Sequence, residues 1–430
     1  MDRFIVFIEE EDEMSNLKKR FPGYEFTFVA LIRYRNEVVL LDRNDISQTI
    51  AQLQTLHRQH PFQGVINSRE KFVMASAVVS KELGLTPIID DPLRVRDKHL
   101  MLKTIGQRLH CAHTEVMLTD FSKSALDTIG VPCVIKPRFG VNSMCALRIN
   151  NRSQLRSAVV KQQKLFARIT RKDFGGYDFE NKDFVVESFI GGTEHTVDSL
   201  VRDSEVILQI ISDKLPMTPP YFIEMGDVMP SQLREEEQGK ILNAVAQANA
   251  LLGMRNGWTH TEVKVWHGEP YIIEVAARMG GGYFQQMIQE VYGVDRIELL
   301  MSVMKGRDIL PLGPPRKVVI GKRVVGYGAK YVWRINGLDK LRRSSSISVV
   351  ECQLNPNGRG LIVGPPYGYL NSLLEYFVFG ETAQQALATL KEMEQLMMVH
   401  AITIPYRLFL IHDWLQKMIN RRKPILIAHL

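Results

Sequence analysis

The chain has 430 residues, of which 45% are hydrophobic and 23% are charged. At roughly 150 residues per domain this composition is typical of a globular protein of two to four structural units, and it excludes disordered, collagen-like and disulfide-scaffold proteins. The formal net charge is +7 at pH 7, but residues 401–430 hold five basic residues and one acid. The first 400 residues therefore carry only +3, which is a weak indication of a nucleic-acid partner.

Cysteine usage and the apolar runs indicate the cellular setting. The four cysteines are Cys111, Cys133, Cys145 and Cys352. They form no CxxC pair, which fits a reducing compartment and argues against a zinc site. No apolar run approaches the roughly 18 residues of a membrane span, and the beginning, MDRFIVFIEEEDE, is typical of a strand and not of a signal peptide. We therefore expect a soluble, cytoplasmic protein.

The first 95 residues alternate short apolar runs with helical segments. The pattern predicts strands at Ile5–Ile8, Val38–Leu41 and Gly64–Asn67, and helices at Ser47–His60 and Lys71–Leu83. Such a βαβ pattern is typical of a parallel sheet. No GxGxxG sequence occurs here, so we do not expect this unit to bind a dinucleotide.

The rest of the chain divides into four further units, with predicted boundaries at 96–185, 186–305, 306–400 and 401–430. In the middle of the chain, helices are predicted at about Leu100–Leu109, Lys123–Ile129, Gln154–Ile169, Gln232–Leu252 and Asp295–Met304. Extended segments are predicted at Glu115–Leu118, Val134–Lys136, Asp183–Glu187, His195–Val201 and Glu205–Ile211, and a hairpin at Thr261–Val265 and Tyr271–Val275. After a Pro- and Gly-rich linker, strand-like runs follow at Lys317–Ile320, Ser346–Cys352, Gly360–Val363 and Glu375–Gly380, and then a helix at Ala383–Met397.

The last 30 residues form a basic tail, which carries a net charge of +4. Trp414–Asn420 with the following basic residues predicts a short terminal helix, exposed to solvent or docked on the protein. Contact with a membrane surface or a partner is the alternative.

The segment Gly257–Gly282 carries the strongest chemical signal. If its hairpin turns about Gly268, Glu262 and Glu274 are equidistant from the turn, and opposed residues of an antiparallel pair lie about 5 Å apart at Cβ. Two carboxylates this close repel each other unless a cation lies between them, and oxygen ligands without Cys or His fit Mg²⁺ together with phosphate oxygens. The alternative is a pair of solvated surface acids. The apolar neighbours, and three glycines that would permit close backbone approach by a ligand, argue against it.

Three other segments are compatible with nucleotide binding. Lys98 at a helix start and Lys136 at a strand end can neutralise phosphates, and a loop with one glycine, Phe139–Cys145, follows. A strand ends at Glu187, before a Gly-Gly pair and Glu194. A hinge there can hydrogen-bond an adenine edge and an acid can bind ribose hydroxyls. Taken singly, each segment also fits a solvated charge or a polar turn.

In this order, the segments resemble the ATP-grasp superfamily of carboxylate–amine ligases over roughly residues 65–305. The matching motifs are Asp97-Lys98, IKP at Ile135–Pro137, VESFIGGTE at Val186–Glu194, HTE at His260–Glu262 and IIEVAAR at Ile272–Arg278. The last two, with YFIEMGDVMPSQL at 221–233, look like the L-amino acid ligases, which join two amino acids or an amino acid to another amine. The resemblance implies an α/β (α+β) protein with the ATP-grasp fold, an N-terminal Rossmann-like βαβ domain and a C-terminal β-rich subdomain.

The resemblance also implies roles for individual residues. Seven residues would contact ATP, namely Lys98, Lys136, Ser143, Glu187, Phe189, Ile190 and Glu194. The lysines and the loop serine would meet the triphosphate, residues 187–190 the adenine, and Glu194 the ribose. Glu262 and Glu274 would hold Mg²⁺, with Mn²⁺ as an alternative ion. Arg278 would stabilise an acyl phosphate and the tetrahedral intermediate that follows it.

Three more residues are expected near the substrate: Glu224, His260 and Gly281. A polar loop acid is the alternative for Glu224, and a structural histidine is the favoured alternative for His260. Two positions depart from the superfamily pattern. Ala276 stands where many members have Asn, and the phosphate loop RFGVNSMC has one glycine where several are usual.

The function that the resemblance implies is ATP-dependent amide formation between an amino acid carboxylate and an amine, through an acyl phosphate. Its partners would be small amino acids, with no nucleic acid and no transmembrane span, and homodimers are common in similar enzymes. Two alternatives stay open. One is an ATP-grasp ligase that acts on a carrier-protein-bound or other biosynthetic acid or amine, and the other is a nucleotide-binding protein without ligase activity.

Overall fold

The computed structural model describes residues 1–32, 34, 38–42, 45–106, 109, 113–116, 129–166, 183–217, 222–326, 330–354, 361–363 and 372–405. The predicted helix at Lys123–Ile129 lies outside these residues except for its last one, and the terminal helix predicted in the basic tail lies wholly outside them.

The N-terminal unit is a four-stranded parallel sheet. Its strands are β1 (Asp2–Phe7), β2 (Tyr24–Ala30), β3 (Val38–Leu40) and β4 (Gly64–Asn67), in the order β3-β2-β1-β4. Its helices are α1 (Glu11–Arg20), α2 (Ser47–Gln59) and α3 (Val73–Glu82), with a 3₁₀ turn at Glu70–Phe72. The predicted parallel sheet is confirmed. The sequence analysis missed α1 because its sequence, EDEMSNLKKR, buries only Met14 and Leu17, too few to show a helical period.

A small antiparallel sheet follows. Its strands are β5 (His113–Val116), β6 (Cys133–Pro137), β7 (Leu147–Ile149) and β8 (Phe184–Ser188), in the order β5-β8-β6-β7. The short helix α4 (Leu93–Arg96) and α5 (Lys98–Ile105) precede it, and α6 (Arg152–Phe166) follows β7. The predicted helix at Leu100–Leu109 thus begins two residues earlier and ends four residues earlier. Asp97 sets its start by accepting from the backbone amides of His99 and Leu100, and Gly106, with a φ of 73°, ends it.

The largest sheet has eight antiparallel strands. They are β9 (Thr193–Arg202), β10 (Glu205–Lys214), β11 (Gly226–Met229), β12 (Gly257–Trp266), β13 (Glu269–Ala276), β14 (Val318–Val325), β16 (Ile347–Cys352) and β18 (Ser372–Gly380). Their order is β13-β12-β9-β10-β11-β14-β18-β16. A three-stranded sheet consists of β17 (Leu361–Val363), β15 (Lys330–Asn336) and β19 (Met398–Thr403). The remaining helices are α7 (Glu235–Leu252), α8 (Phe284–Tyr292), α9 (Arg296–Met304), α10 (Leu338–Arg343) and α11 (Ala383–Leu396).

One hydrophobic core joins the N-terminal sheet to the large sheet. Phe4 and Phe28 from the parallel strands lie in the same buried cluster as Trp258 of β12 and Met287 of α8. The indole of Trp258 donates to the backbone carbonyl of Arg296 at 2.9 Å. The parallel sheet is therefore packed onto the body of the protein by apolar contact. None of the helices in the described part of the chain is both long and apolar enough to cross a membrane.

Candidate active site

A cleft of about 720 Å³ lies between the small sheet and the hairpin end of the large sheet. Nine of the predicted site residues line it, namely Lys98, Lys136, Ser143, Glu187, Phe189, Ile190, Glu194, Glu262 and Glu274. Four others do not line it: Glu224, His260, Arg278 and Gly281. The structure thus brings together residues that are as much as 176 positions apart in the sequence.

The two predicted metal ligands are opposed on neighbouring strands. Glu262 of β12 is in register with Glu274 of β13, as the sequence analysis expected, and a β-bulge follows immediately. Their side chains are 22% and 29% exposed, respectively. Each is neutralised by a lysine, since Nζ of Lys214 lies 2.8 Å from Glu262 and Nζ of Lys98 lies 2.8 Å from Glu274.

Lys98 is fixed at the entrance of a helix. Asp97 caps α5 and also pairs with Arg138, whose Nε donates to Asp97 at 2.7 Å. The backbone amide of Lys98 donates to the carbonyl of Arg138 at 3.0 Å, and its Nζ donates to the carbonyl of Gly140 at 2.9 Å. Asp97 and Lys98 therefore bind the loop that follows β6, and Lys98 presents its ammonium group to the cleft.

Lys136 is a second buried cation. Its Nζ lies 2.5 Å from Glu187 and donates to the carbonyl of Ile273 at 3.3 Å. Burial acts to lower the pKa of Lys136, but the carboxylates of Glu187 and Glu274 outweigh it and raise the pKa above its ordinary value. Lys136 is therefore a fixed positive charge at neutral pH, which is suitable for a phosphate.

The loop after β6 has an unusual backbone. Asn142, Ser143 and Cys145 all have positive φ angles, of 55°, 54° and 58°. Residues with a Cβ atom avoid this region at a cost of roughly 1–2 kcal/mol each, and glycine does not. The single glycine noted in the sequence is thus consistent with a loop that still adopts the left-handed conformation, at a cost in strain.

The hinge after β8 has an aromatic residue between cations. The guanidinium carbon of Arg148 lies 3.9 Å from the ring centroid of Phe189, and Nζ of Lys264 lies 5.7 Å from it. The amide of Phe189 donates to the carbonyl of Pro132 at 3.0 Å, and Ile190 is buried. A flat apolar wall of this kind can pack against a heteroaromatic ring.

Lys214 lies at the centre of three carboxylates. Its Nζ is 3.0 Å from Glu194, 2.9 Å from Glu224 and 2.8 Å from Glu262. Burial acts to lower the pKa of Lys214, but Glu224, Glu262 and Glu194 together raise it well above its ordinary value. One ammonium therefore connects residues predicted for ribose, substrate and metal. The sequence analysis did not identify it, because the strand predicted at Glu205–Ile211 continues to Lys214 as β10.

Arg278 is held by the N-terminal unit. Its Nε donates to Glu70 at 2.7 Å and its Nη1 donates to the carbonyl of Met279 at 2.8 Å. Arg96 binds the other oxygen of Glu70 at 2.6 Å. Burial acts to raise the pKa of Glu70, but Arg96 and Arg278 outweigh it and lower that pKa to about 2. The sequence analysis missed Glu70, which lies outside all the recognised motifs.

Glu224 belongs to a buried ionic cluster. Besides Lys214, it accepts from Nη1 of Arg323 at 2.7 Å, and Nε of Arg323 donates to Glu375 at 2.9 Å. Burial acts to raise the pKa of Glu224, but Lys214 and Arg323 outweigh it and hold that pKa below its ordinary value. Arg323 also lies over the Tyr283 ring, 4.7 Å from its centroid. Glu224 is thus held by two cations, Lys214 and Arg323, within this cluster.

His260 has a structural setting. Its Nδ1 lies 2.6 Å from Asp198, and its ring packs edge-on against Phe284. Asp198 also pairs with Arg296, which donates to the carbonyl of Gly280 at 2.9 Å. A Cβ atom at Gly280 would lie 2.7 Å from Nδ1 of His260. These contacts favour the structural alternative for His260 and fix the glycine run.

Gly281, the next residue of that run, has more room. A Cβ atom there would meet Nη1 of Arg278 as its nearest neighbour, at 4.0 Å. The backbone at Gly281 therefore faces the guanidinium of Arg278, which places this predicted substrate residue beside the predicted catalytic one.

The donor set fits a magnesium–nucleotide complex. Within the described ranges, no group of three or more His, Cys, Asp or Glu residues could hold a metal ion, whereas Mg²⁺ needs only one or two carboxylates when phosphates and water complete its shell. Glu262 and Glu274 supply such a pair, and Lys98 and Lys136 are positioned for phosphates in the same cleft.

Comparison with known proteins identifies a family over the middle of the chain. Residues 129–286 match the family model of the ATP-grasp domain. Carnosine synthase 1 of Homo sapiens is 30% identical over 199 residues, which cover 45% of this chain and 23% of that protein. Alanine–anticapsin ligase of Bacillus subtilis is 28% identical over 257 residues, which cover 56% of this chain and 53% of that protein. The chain thus spans about half or less of these curated relatives.

The fold is also found in solved structures. An L-amino acid ligase from Bacillus licheniformis superimposes with a TM-score of 0.76 at 20% identity, covering 94% of this chain and 99% of that one. A phosphoribosylglycinamide synthetase from Anaerococcus prevotii superimposes with a TM-score of 0.63 at 14% identity, covering 94% and 100%. At these identities the superpositions establish the architecture alone.

Proposed function

Because residues 129–286 match the family model of the ATP-grasp domain, we propose that the protein is an ATP-dependent carboxylate–amine ligase that joins an amino acid to a second amino acid. A carboxylate of the first substrate attacks the γ-phosphate of ATP, which gives an acyl phosphate and ADP. The amine of the second substrate then displaces phosphate and forms the amide. The names of the similar ligases support amino acids as the substrate class.

The observation that carries this proposal is the convergence of two lysines and two opposed carboxylates on one cleft. Lys98 and Lys136 bind and orient the phosphates of ATP and neutralise the charge that develops on them. Glu262 and Glu274 hold Mg²⁺. When bound, Mg²⁺ supplies a Lewis acid for the phosphate oxygens.

Four residues of the hinge select the nucleotide. Phe189 and Ile190 pack against the adenine, Glu187 accepts a hydrogen bond from its amino group, and Glu194 binds the ribose hydroxyls. Ser143, in the strained loop, covers the triphosphate and excludes water from the acyl phosphate, which water would hydrolyse.

The other predicted residues act at the substrate end. Arg278 stabilises the negative charge of the acyl phosphate and of the tetrahedral intermediate, and this requires its pairing with Glu70 to be shared or released. Glu224 lies on the amine side of the cluster around Lys214. His260 positions the glycine run at Gly281, where the backbone faces Arg278.

The test is phosphate release from ATP in the presence of Mg²⁺ and pools of amino acids, with mass spectrometry of the products. We expect release that requires two amino acids and yields a dipeptide. Glu274→Gln should reduce the rate by about 10²-fold or more, because one of the two carboxylates that hold Mg²⁺ is lost. Glu269→Gln, on the same hairpin but 66% exposed, is the matched control and should retain the wild-type rate.

Two results would redirect the proposal. Phosphate release only with an acyl group on a carrier protein, or with another biosynthetic acid, would favour the alternative ligase. An unchanged ATP affinity and an unchanged cellular phenotype in Glu274→Gln would favour a nucleotide-binding protein without catalysis. The expected homodimer and the cytoplasmic location stay predictions.

A further inference from the structure

Asp227 is a buried acid that the proposed reaction has not yet used. It lies on β11, between Lys214 of β10 and Gly321 of β14 in the strand register, and it is 1% exposed. The hydroxyl of Tyr283 lies 3.3 Å from its Oδ2. Its Oδ1 has no hydrogen-bond partner among the residues that the structure describes. A buried carboxylate oxygen without a partner is costly in a structure that serves only folding.

The Tyr283 hydroxyl has two acceptors and one proton. It lies 3.3 Å from Asp227 and 3.4 Å from the carbonyl oxygen of Gly321, and a hydroxyl can donate to only one of them. Burial raises the pKa of Tyr283 well above its ordinary value, so the tyrosine keeps its proton. The hydroxyl can donate to Asp227 when the carboxyl group is ionised, and to Gly321 when the carboxyl group is protonated.

Charged groups on every neighbouring element act on Asp227. Burial and the carboxylate of Glu224 favour the protonated form, whereas Lys214, Arg323 and His260 favour the ionised form. The balance raises the pKa of Asp227 to about 7. The carboxyl group can therefore exchange a proton near neutral pH, as a general base requires.

Asp227 lies opposite Lys214 in the strand register, and Lys214 pairs with Glu224, a residue expected near the substrate. Tyr283 directly follows the glycine run that begins two residues after Arg278, and a Cβ atom at Gly282 would lie 2.9 Å from Nη2 of Arg323. We propose that the Asp227 carboxylate, held by Tyr283, is the group that takes the proton from the incoming amine. This inference rests on the proposed ligase function and adds the acid–base residue of its second step.

The proton balance of this step is simple. The amine substrate arrives as an ammonium ion, and its positive charge favours ionisation of Asp227, which releases a proton to solvent. The ionised carboxylate accepts one proton from the ammonium. The free amine adds to the acyl carbon and gives the tetrahedral intermediate, whose C–O bond to phosphate then breaks. The second nitrogen proton leaves with the phosphate or to water.

Asp227→Asn separates the two half-reactions. Hydroxylamine is largely uncharged at neutral pH, so it traps an acyl phosphate as a hydroxamate without the need for a base. We expect the ratio of dipeptide to hydroxamate formed by Asp227→Asn to fall by about 10²-fold relative to wild type. Glu205→Gln, an exposed acid at the start of β10, should leave the ratio unchanged.

The pH profile gives a second measurement. In wild type, kcat/KM for the amine should rise with pH through a value near 7. In Asp227→Asn this rising part of the pH profile should be absent. Tyr283→Phe keeps the ring contacts but removes the hydroxyl that donates to the ionised carboxylate. The rising part of the profile should therefore move upward by about one pH unit.

Three outcomes count against these proposals, and they differ. An unchanged ratio of dipeptide to hydroxamate in Asp227→Asn, whether or not both products decrease, overturns the role of Asp227 alone. If the pH profile of kcat/KM in Tyr283→Phe rises at the same pH as in wild type, Tyr283 does not hold the Asp227 carboxylate. Absence of hydroxamate in wild type with every amino acid overturns the ligase function and this inference with it.

Discussion

Glu70 connects two parts of the protein through a single carboxylate. It precedes α3 in the N-terminal unit, and its two oxygens bind Arg96 and Arg278. Because the side chain is largely buried, removal of its charge would leave two guanidinium groups without their shared partner. The residue therefore contributes both to stability and to the position of Arg278.

Glu70→Gln should destabilise the protein in a pH-dependent way. The folded-state pKa is lowered from 4.5 to about 2, so the stabilisation is complete above about pH 4.5 and is lost as the pH falls toward 2. The shift corresponds to about 3 kcal/mol at neutral pH. Urea unfolding of wild type and variant should show this difference at pH 7 and a smaller one at pH 3.

Glu82→Gln is the matched control for that comparison. It removes an exposed acid at the end of α3 and should change the free energy of unfolding by less than about 0.5 kcal/mol. A difference for Glu70→Gln that stays constant between pH 7 and pH 3 would contradict the ionic account.

At the level of single residues, motifs predicted the positions that face the cleft but not those that support them. The opposition of Glu262 and Glu274 followed from hairpin symmetry, which needs only the turn position. Lys214 and Glu70 act through contacts with residues far away in the chain. Such contacts depend on how the elements pack, and no local spacing encodes them.

At the level of elements, the hinge after β8 depends on a glycine with no room for a side chain. Gly192 has a φ of 77°, and a Cβ atom there would lie 1.8 Å from the carbonyl oxygen of Val265. The hinge backbone thus lies directly against β12, and this contact sets the wall of the nucleotide cleft.

Gly192→Ala should lower the free energy of unfolding far more than Gly268→Ala. Gly268 in the hairpin turn has a φ of 79° but nothing within 4 Å of a Cβ atom, so it reports the cost of the left-handed conformation alone, about 1 kcal/mol. Gly192→Ala should exceed that cost by at least about 1–2 kcal/mol in urea unfolding and should weaken binding of a fluorescent ADP analogue. Equal costs at the two positions would contradict the close approach.

Strands and helices with a clear hydrophobic periodicity were predicted well. A strand that contains charged residues was not. The predicted strands at Gly64–Asn67 and Val134–Lys136 and the helix at Gln232–Leu252 agree with β4, β6 and α7 to within three residues. In contrast, β14 is longer than the predicted Lys317–Ile320, because Lys322 and Arg323 interrupt the apolar pattern that marks a strand. Those two residues are in ion pairs, which hydrophobicity alone cannot anticipate.

At the level of the whole molecule, the parallel sheet and the large sheet share one core. Phe28 of β2 and Trp258 of β12 belong to the same buried cluster, so neither sheet can unfold without exposing apolar surface of the other. The two sheets should therefore behave as one cooperative unit.

Phe28→Ala should reduce hydrogen-exchange protection in both sheets. Removal of a buried phenylalanine costs about 3–5 kcal/mol, and the loss should appear equally in peptides from β1 and from β12 when exchange is followed by mass spectrometry. Leu251→Ala, at a position that is 48% exposed, is the control with little effect. Loss of protection confined to residues 1–95 would show that the N-terminal unit unfolds on its own.

The placement of Lys214 has a consequence for how the two substrates influence each other. Its ammonium is shared among Glu194, Glu224 and Glu262, which belong to different proposed subsites. A ligand that binds one of these carboxylates changes the electrostatic potential at the other two. The affinities for nucleotide and amine are then thermodynamically linked, and the coupling free energy is the same whichever ligand binds first.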